Sequence, residues 1–479
     1  MRKRNKTILF FVSVGLFLLI TPLTIFYSQG YRFDFKEKRI TQTGGLFLRV
    51  RPKKAKIYID NRLRKETDFL FGSVLIENLL PKKYKISVGK QGFQKWEKEL
   101  KIEEKKVTEA KNILLWPENL SFETLTGAIE KLFLSPDKTK IIFLEMENSQ
   151  EIISHRTSTS SLKKQALKLY DLKRKVKSSL IDEDNFREKG LEILEIIWGP
   201  YSQKILIETA VKEQIKYWLL EILPRPKLTS LDFLPQGISD IKFSPENSQK
   251  IFFRKLEKNN LSSLFEADLK EKKVNPSPLL ENFLTFTLTE NSFYWLNPDG
   301  FLYKSSLKLQ GKEKMNQLAF PVQKGEIEYK IFVFGENIFL QEKEKLFFLN
   351  ESSKSFEEIL EKVLQIESSP DNKKLALAKE HEIWIYYLEK ELSQPQREKG
   401  EKIFLTRFGQ NIGKVTWINP SYLLFSLKNT IKIIEIDNRD KPQVWEIVES
   451  KEPDFFFNQD EKKLYLLSEK TLFSSEALF

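Results

Sequence analysis

Apolar residues recur in short runs along most of this chain, and turn-forming residues separate the runs. From Gly44 onward the runs either alternate apolar with polar positions or form short apolar blocks bounded by proline, asparagine or aspartate. Both patterns are typical of β-strands, whereas a globular helix would show a repeat of about 3.6 residues over a longer stretch. The pattern predicts an all-β protein with one N-terminal transmembrane helix.

The predicted helix is the segment Ile8–Tyr27, which contains no charged residue. At about 1.5 Å per residue, roughly 20 residues span the ~30 Å hydrocarbon core of a bilayer. Only basic charged residues precede the segment, namely Arg2, Lys3, Arg4 and Lys6. The positive-inside rule therefore predicts a single-pass protein of the cell membrane, with residues 1–6 cytoplasmic, residues 7–28 as the anchor and the bulk of the chain extracytoplasmic. The alternative is a signal peptide cleaved at Ser28-Gln29-Gly30.

Residues 44–116 are predicted to form a small antiparallel β domain, and residues 29–43 are predicted to link it to the anchor. The apolar runs of this domain are Leu46–Val50, Lys56–Ile59, Tyr84–Val88 and Val107–Leu115. Turn residues separate the runs at Pro52, Asp60-Asn61, Leu80-Pro81 and Gln91-Gly92. Alternation of this kind indicates sheets with one buried face and one exposed face.

The small domain resembles the PEGA domain family. The resemblance covers Gly45–Asp60, Glu77–Val88, Lys90–Phe93 and Trp96. Of the tetrapeptide that gives the family its name, Pro52 and Ala55 are kept, whereas Lys53 and Lys54 replace the acidic residue and the glycine. Asn61 replaces a usual glycine, a change that a left-handed turn tolerates. The resemblance implies a β-sandwich that serves as a surface-exposed accessory or binding module, and it implies no catalytic residues.

Lysine pairs occupy three turns of the small domain. If six strands alternate in direction, these turns all lie at one end of the domain and bring together Lys53, Lys54, Lys82, Lys83, Lys105 and Lys106. Clustered ammonium groups raise the local concentration of anions, so the six lysines are candidate contacts for an anionic envelope polymer or for lipid headgroups. The alternative is that they are solvated turn residues, which the basic residues Arg62, Arg64 and Lys65 at the other end support.

From residue 117 to residue 479 a strand pattern repeats, and its clearest marker is a turn of serine, proline and an acidic residue. The turn occurs at Ser135-Pro136-Asp137, Ser244-Pro245-Glu246 and Ser369-Pro370-Asp371. Candidate units at a spacing of roughly 35–65 residues indicate a propeller or a solenoid, because strands this short need neighbours to bury their faces. The repeats resemble the TolB-like and WD-like β-propeller families, although Lys138, Asn247 and Asn372 replace the usual glycine.

The last repeat unit is one strand short of a four-stranded blade. The segment Asn119–Leu125, just before the first unit, is the expected missing strand. Its pairing with the last unit would close the structure and leave no open sheet at either end. We therefore expect a closed β-propeller of eight blades over residues 117–479, with seven blades as the alternative if two weak units merge.

Composition and charge exclude several classes of function. The chain of 479 residues has no cysteine, which removes disulfides, thiolate nucleophiles and zinc–cysteine sites. The net charge is +12, but residues 1–115 hold 26 basic and 11 acidic residues, so the positive charge belongs to the membrane-proximal part. A nucleic-acid binder would place its cations on a folded face with access to the cytoplasm, so we expect no nucleic-acid partner. The lysine-rich composition and the anchor suit a bacterial protein.

Groups that could carry chemistry have simpler structural interpretations. His155 lies in a stretch rich in serine and threonine, and His381 lies in a charged turn, so neither has partners for catalysis or metal binding. Asp182-Glu183-Asp184-Asn185 lacks the glycine and the distal glutamate of a calcium loop. Five tryptophans are expected in blade cores rather than as sugar platforms, namely Trp198, Trp218, Trp295, Trp384 and Trp417. We expect no catalytic, metal-binding or cofactor-binding residue, and no cofactor.

These observations favour a non-enzymatic binding or scaffold protein of the cell envelope. Its expected partners are the membrane, as a single-pass integral protein, and a protein or envelope polymer. The alternative is a glycosidase-like envelope hydrolase that uses carboxylates in the funnel of the propeller. General acid–base work of this kind needs two carboxylates within roughly 5–10 Å, and the candidates are Asp232, Asp240 and Glu195.

Overall fold

The computed structural model describes residues 3–35, 37–149, 162–186, 191–211, 214–256, 261–323, 325 and 327–479. Among these residues the only α-helix is α1, which spans Lys3–Ser28. Two short 3-10 helices span Glu183–Phe186 and Pro200–Ser202. The other regular elements of the described residues are β-strands, which confirms the mainly β prediction.

Helix α1 has the length and composition of a segment that crosses a membrane. Its stretch Ile8–Ser28 contains 21 residues, and 0% of it is buried against the rest of the chain. An apolar surface of this size is costly to expose to water. Length and composition of this kind are typical of membrane anchors and of signal sequences.

The chain, with α1 included, divides into two compact units. Unit 1 contains residues 1–123, 365–466 and 474–479, and unit 2 contains residues 124–364 and 467–473. Unit 1 thus joins the N-terminal part of the chain to sheets formed much later in the sequence.

In unit 1 the predicted linker forms a hairpin of β1 (Tyr31–Asp34) and β2 (Arg39–Gln42). The small domain follows with seven strands: β3 (Gly44–Arg51), β4 (Lys56–Ile59), β5 (Arg62–Glu66), β6 (Ser73–Leu79), β7 (Lys83–Gly89), β8 (Trp96–Lys101) and β9 (Val107–Leu114). They form two sheets, in the orders β6-β3-β9 and β5-β4-β7-β8. Apolar side chains of both sheets, such as Leu48, Ile57 and Ile86, are fully buried and form the core of the domain.

The small domain differs from the predicted antiparallel arrangement in two ways. Strand β3 pairs with β9 in parallel rather than antiparallel. Strand β5 was not indicated by the sequence pattern, because all five of its residues are exposed and it has no apolar face. Since β5 reverses the chain once more between β4 and β6, the turns that follow it lie at the opposite end from the predicted one.

The remaining strands form eight antiparallel sheets in the described part of the chain. The first strand is β10 (Phe122–Thr126). Sheet 1 contains β11 (Ile129–Leu134), β12 (Lys140–Ser149), β13 (Leu162–Asp171) and β14 (Val176–Asp182), and sheet 2 contains β15 (Glu192–Trp198), β16 (Lys204–Val211), β17 (Gln214–Glu221) and β18 (Lys227–Ser230). Sheet 3 contains β19 (Ile238–Phe243), β20 (Lys250–Leu256), β21 (Ser262–Asp268), β22 (Lys273–Val274) and β23 (Leu280–Phe283).

Sheet 4 contains β24 (Thr285–Leu288), β25 (Ser292–Leu296), β26 (Leu302–Ser306) and β27 (Glu313–Lys314), and sheet 5 contains β28 (Tyr329–Phe334), β29 (Asn337–Glu342), β30 (Lys345–Asn350) and β31 (Ser355–Leu360). Sheet 6 contains β32 (Gln365–Ser368), β33 (Lys374–Ala378), β34 (Glu382–Tyr387) and β35 (Lys402–Arg407), and sheet 7 contains β36 (Ile412–Asn419), β37 (Tyr422–Leu427), β38 (Thr430–Glu435) and β39 (Val444–Glu449). Sheet 8 contains β40 (Asp454–Asn458), β41 (Lys463–Ser468) and β42 (Thr471–Ala477), together with β10.

Sheets 1 to 7 are built from consecutive antiparallel strands, which is the topology of β-propeller blades. Sheet 8 has the order β10-β42-β41-β40, so its fourth strand comes from the segment before sheet 1. The backbone N–H of Glu476 also donates a hydrogen bond to the carbonyl of Ser121 (3.1 Å). This pairing of Asn119–Leu125 with the last unit is the one that the sequence predicts.

Within each unit, large apolar side chains fill the space between neighbouring sheets. In unit 2 one cluster joins sheets 1 and 2, and Trp218 belongs to it while Trp198 packs against it. Trp295 and Trp417 are buried in other clusters, whereas Trp384 is half-buried. The predicted core role is therefore confirmed for Trp218, Trp295 and Trp417, and Trp198 and Trp384 lie at the margins of the cores.

The serine-proline-acid turns are held by a repeated set of hydrogen bonds. In the first copy the Ser135 hydroxyl donates to Asp137 Oδ1 (2.6 Å) and accepts from the backbone N–H of Lys140 (2.9 Å). The same bonds recur in the copy that starts at Ser369. Lys138 takes the place of the family glycine with φ 53°, a left-handed conformation that glycine adopts more readily. The turn motif is therefore structural in these two copies.

The second copy is one residue longer and is held differently. The backbone N–H of Gln249 donates to Asn247 Oδ1 (2.9 Å), and Ser244 N–H donates to the carbonyl of Lys250 (2.9 Å). Glu246, which stands at the acidic position, is exposed. The asparagine thus replaces the acidic residue as the local acceptor.

We expect Asp137→Ala to lower the free energy of unfolding by about 1 kcal/mol near neutral pH, the usual value of an intramolecular hydrogen bond. Partial burial alone would raise the pKa of Asp137, but hydrogen bonds from Ser135 and Thr139 lower it to about 2. Because the folded-state pKa lies below the unfolded-state value, this contribution is present above about pH 4 and is lost as the pH falls towards 2. Urea unfolding of the wild-type protein and of Asp137→Ala at several pH values measures this contribution to the free energy of unfolding.

The matched control for this turn is Glu246→Ala, which changes the same turn position in the second copy. We expect no measurable change in the urea midpoint, because Asn247 holds that turn. Equal losses in the two variants, or a loss in Asp137→Ala that does not shrink at low pH, would contradict the role of the Asp137 carboxylate.

Candidate functional site

The small domain is fastened to sheet 7 along the edge of strand β8. This strand is the last one in its sheet, so one row of its backbone groups has no strand partner. Side chains from the segment between β38 and β39 fill that row. Glu97 N–H donates to Gln443 Oε1 (3.2 Å), Gln443 Nε2 donates to the carbonyl of Glu97, and Glu99 N–H donates to Asp440 Oδ2 (3.1 Å).

Strand β9, the edge of the other sheet, is held in the same way. Gln394 donates through Nε2 to the carbonyl of Val107 (3.0 Å) and accepts through Oε1 from the N–H of Glu109 (2.9 Å). Further along, Leu114 N–H donates to the Tyr422 hydroxyl (3.1 Å), which is buried. Each edge thus receives side chains that satisfy its backbone as a neighbouring strand would.

A buried ion pair lies at the centre of this contact. The side chain of Lys98 is 0% exposed and that of Glu435 is 5% exposed, with Lys98 Nζ 2.5 Å from Glu435 Oε1. The same ammonium donates to the carbonyl of Asp437, and Trp96 Nε1 donates to Glu435 Oε2 (3.0 Å). Burial raises the pKa of Glu435 to about 7, although the Lys98 ammonium acts in the opposite direction. The pair therefore depends on mutual compensation, since either charge alone would be costly to bury.

An aromatic cluster surrounds Trp116, at the point where the chain leaves the small domain. The Trp116 ring lies 5.2 Å from that of Tyr422, 6.3 Å from that of Trp445 and 6.0 Å from that of Phe479, in edge-to-face geometry. Trp445 Nε1 also donates to the carbonyl of Lys95 (3.2 Å). The hydrogen bonds and the rings together fix the small domain against sheets 6 and 7 within unit 1.

A cleft of about 500 Å³ remains open beside these contacts. One wall comes from strands β3 and β9, and the other comes from the ends of strands in sheets 6 and 7 and from the turn at Ser393–Pro395. Its lining is mainly polar and charged, and it includes Arg49, Arg51, Asn112, Asn419, Ser421 and Arg439. The volume is within the range of sites for small ligands, but the lining is more polar than that of most such sites, which suits a charged ligand.

The six candidate lysines do not share one end of the small domain, which corrects the prediction. Lys53 accepts a hydrogen bond from Lys90 through its carbonyl (2.8 Å), at the end where β3 and β7 finish. The carbonyl of Lys82 instead accepts from Ile102 N–H (2.9 Å), and Lys105 N–H donates to Thr43, at the end where β3 begins. Strand β5 adds one reversal, and so Lys53 and Lys54 lie opposite Lys82, Lys83, Lys105 and Lys106.

Two of these lysines also have acidic neighbours. Lys82 Nζ lies 3.3 Å from Asp60, and Lys106 Nζ lies 2.8 Å from Glu103. A role of the six residues in anion binding stays a prediction, now divided between two surfaces.

The carboxylates considered for hydrolysis occupy separate settings in unit 2. Asp240 pairs with Arg254 (3.0 Å), and Asp232 is exposed in the connection between β18 and β19. Glu195 is exposed on β15 and is the cross-strand partner of Glu208 on β16. Burial, and then the charge of Glu195, raise the pKa of Glu208. Of the three candidates Asp232, Asp240 and Glu195, only Glu195 has a second carboxylate as its cross-strand partner.

The remaining candidates have local roles or lie outside the described residues. His155 is outside them, and His381 lies in the turn before β34, where its Nε2 is 3.9 Å from Glu380. In the acidic segment Asp182–Asn185, which was not expected to bind calcium, Asp182 N–H donates to Asn185 Oδ1 (2.7 Å), and Asn185 N–H donates to Asp182 Oδ1 (3.2 Å). No group of three His, Asp or Glu side chains within the described ranges is placed to hold a metal ion.

The sequence reasoning missed Lys98 and the two arginines of the cleft. Lys98 lies between Trp96 and Leu100 on one face of β8, where all three side chains are buried. A charged residue at a core position of an alternating strand indicates a buried partner of opposite charge. The alternation Trp96, Lys98, Leu100 shows this signal in the sequence alone. Arg49 and Arg51 carry no such signal, because alternation predicts only that they face away from the core.

Comparisons with known proteins concern the fold alone. No known protein family matches the chain, and no curated protein sequence is similar to it, so membership in the PEGA family stays a prediction. Among solved structures, the Dos1 propeller is 9% identical with a TM-score of 0.44, over 75% of this chain and 95% of that one. Kluyveromyces lactis Hsv2 is 11% identical with a TM-score of 0.39, over 72% and 99%. A prolyl endopeptidase is 11% identical with a TM-score of 0.43, over 72% of this chain and 55% of that one, so the chain spans about half of its length.

Proposed function

We propose that this protein is a non-enzymatic scaffold of the cell envelope, in which α1 anchors a PEGA-like sandwich and an eight-bladed propeller outside the cytoplasm. The observation that carries the proposal is the exposed apolar stretch Ile8–Ser28, followed by a small domain whose two sheet edges are bonded to sheets 6 and 7. Because these bonds fix the small domain against the sheets, unit 1 presents one rigid surface next to the anchor. A rigid surface of this kind suits the docking of a protein or an envelope polymer.

The topology can be tested by protease treatment of intact spheroplasts that produce the full-length protein. We expect the chain to sediment with membranes and to be digested from outside, while an epitope at the N-terminus stays protected. A C-terminal epitope that survives digestion would contradict the proposed topology. Release of the chain into the soluble fraction after cleavage near Ser28 would show that α1 is a signal sequence and would contradict the anchor.

The scaffold role can be tested by crosslinking in intact cells, followed by purification from detergent-solubilised membranes. We expect one or a few envelope proteins, or an envelope polymer, to be enriched over a control membrane protein of similar abundance. No enriched partner, together with no retention of purified protein on envelope polymers, would contradict the role.

A hydrolase is the second candidate, and the pairing of Glu195 with Glu208 is the observation that favours it. Directly opposed residues have β-carbons about 4.5–5.5 Å apart. This spacing lets the two glutamate side chains bring their carboxyl groups to the roughly 5–5.5 Å that retaining glycosidases use for one protonated and one ionised carboxylate. If the candidate is correct, the purified protein releases sugars from envelope polysaccharide and Glu208→Gln abolishes the release. Absence of hydrolysis by the wild-type protein would contradict the hydrolase function.

A further inference from the structure

Two exposed arginines of strand β3 line the cleft. Arg49 and Arg51 are separated by one residue, so their side chains lie on the same face, opposite the buried Leu48 and Val50. Both line the cleft of about 500 Å³. Within the described residues neither side chain forms a hydrogen bond or an ion pair. Two guanidinium groups thus face a cavity without a partner from the chain.

Most of the other charges of the cleft have a partner of opposite sign nearby, although Lys374 is one cation beside two carboxylates. Lys374 lies 3.3 Å from Glu391 and 3.6 Å from Asp371. The other two carboxylates of the lining each pair with one cation. Glu435 lies 2.5 Å from Lys98, and Asp437 lies 2.6 Å from Arg439. Lys111, which also lines the cleft, lies 2.5 Å from Glu109. One of the two carboxylates beside Lys374 stays unbalanced, so the lining and its direct partners hold one positive charge in excess. The cations of the lining that are not in an ion pair are Arg49 and Arg51.

We propose that the cleft binds a small ligand that carries carboxylate or phosphate groups, held by Arg49 and Arg51. Guanidinium groups form paired, parallel hydrogen bonds with such oxyanions, and the planar fork makes these bonds stronger and more specific than those of an ammonium group. Alternate residues of a strand lie roughly 6.5–7 Å apart, so the pair can hold two oxyanion groups of one ligand or can converge on one. The inference goes beyond the proposed scaffold role, because it adds a site for a small anionic ligand to a surface proposed to dock a protein or a polymer.

The test uses the full-length protein in a neutral detergent, titrated with pyrophosphate as the phosphate probe and citrate as the carboxylate probe. We expect at least one probe to bind, as measured by isothermal titration calorimetry. If one probe binds more strongly than the other, the cleft prefers the oxyanion class of that probe, phosphate or carboxylate. In the double variant Arg49→Gln, Arg51→Gln we expect the affinity to fall at least tenfold.

The matched control is the double variant Arg62→Gln, Arg64→Gln. These arginines have the same spacing and the same charge, but they lie on the exposed strand β5 and not in the cleft. We expect this control variant to bind the probe with an affinity within about twofold of that of the wild-type protein. No binding of either probe by the wild-type protein, or equal losses in the two double variants, would overturn the proposal.

A second pair of substitutions, Arg49→Lys and Arg51→Lys, keeps both charges and removes the fork. We expect this variant to keep the urea midpoint of the wild type and to lose affinity, because an ammonium group cannot form the paired bonds. Full retention of affinity would overturn the bidentate geometry. The protease experiment on spheroplasts does not depend on the cleft, so failure of this inference and failure of the proposed topology are distinguishable.

Discussion

We expect Lys98→Met to lower the free energy of unfolding of the full-length protein by about 3–5 kcal/mol, the usual cost of leaving one member of a buried ion pair without its partner. Lys98 has no exposed side-chain surface, and its ammonium contacts Glu435 (2.5 Å) and the carbonyl of Asp437. Methionine fills a similar volume but leaves the buried Glu435 carboxylate without a cation, with hydrogen bonds from Trp96 and the Gln443 backbone only. Urea unfolding followed by circular dichroism measures the loss.

The loss should depend on pH in a defined direction. Burial already raises the pKa of Glu435 to about 7, and removal of the Lys98 ammonium raises it further. A carboxyl whose folded-state pKa lies above its unfolded-state value favours folding most at low pH, and this contribution is lost as the pH rises. The difference between wild type and Lys98→Met should therefore be larger at about pH 8 than at about pH 5.

Two further variants separate the charge from the packing. Lys101→Met makes the same substitution on the same strand, but the Lys101 side chain is 68% exposed beside Glu103, so we expect a change of at most about 1 kcal/mol. In the double variant Lys98→Met, Glu435→Gln the buried charge is gone and an amide oxygen remains, so most of the stability should return. A double variant that is no more stable than Lys98→Met would contradict the ion-pair explanation.

The sequence predicts the strands well because the information for a strand is local. Runs such as Lys140–Leu144 or Leu375–Ala378 contain enough apolar residues in succession to identify a buried strand without knowledge of its neighbours. Strand β5 shows the limit of this reasoning, since Arg62–Glu66 is charged, exposed and held by backbone pairing with β4. One missed strand moved the turns at Lys82-Lys83 and Lys105-Lys106 to the end opposite Lys53 and Lys54, because each added strand moves the turns that follow it to the other end.

The contact between the small domain and the sheets could not be predicted from local pattern. Its hydrogen bonds join residues about 340 positions apart, such as Trp96 with Glu435 and Glu97 with Gln443. Glutamine and aspartate side chains that bind a strand edge have no periodic signature, and in the sequence they are indistinguishable from solvated turn residues. The cleft with Arg49 and Arg51 exists only because this contact forms, so the candidate site was equally hidden.

We expect Trp116→Ala to be as costly as Lys98→Met, at about 3–5 kcal/mol, for a different physical reason. The Trp116 side chain is 0% exposed and packs edge-to-face on Tyr422, Trp445 and Phe479. Alanine leaves a large cavity among rings that pack against one another, and the loss grows with the volume of a cavity that cannot collapse. Urea unfolding monitored by circular dichroism at a single pH measures the effect.

Trp116→Phe is the informative companion to this substitution, because among the described residues the Trp116 Nε1 group is buried without a hydrogen-bond partner. Phenylalanine keeps an aromatic ring in the cluster and sacrifices no hydrogen bond, so we expect it to recover more than half of the loss. Trp384→Ala serves as the control, since Trp384 is half-buried in sheet 6 and its removal leaves an open surface rather than a cavity. If Trp116→Phe were as destabilising as Trp116→Ala, the indole N–H would have to be satisfied by bound water, and packing alone would not explain how the small domain is held.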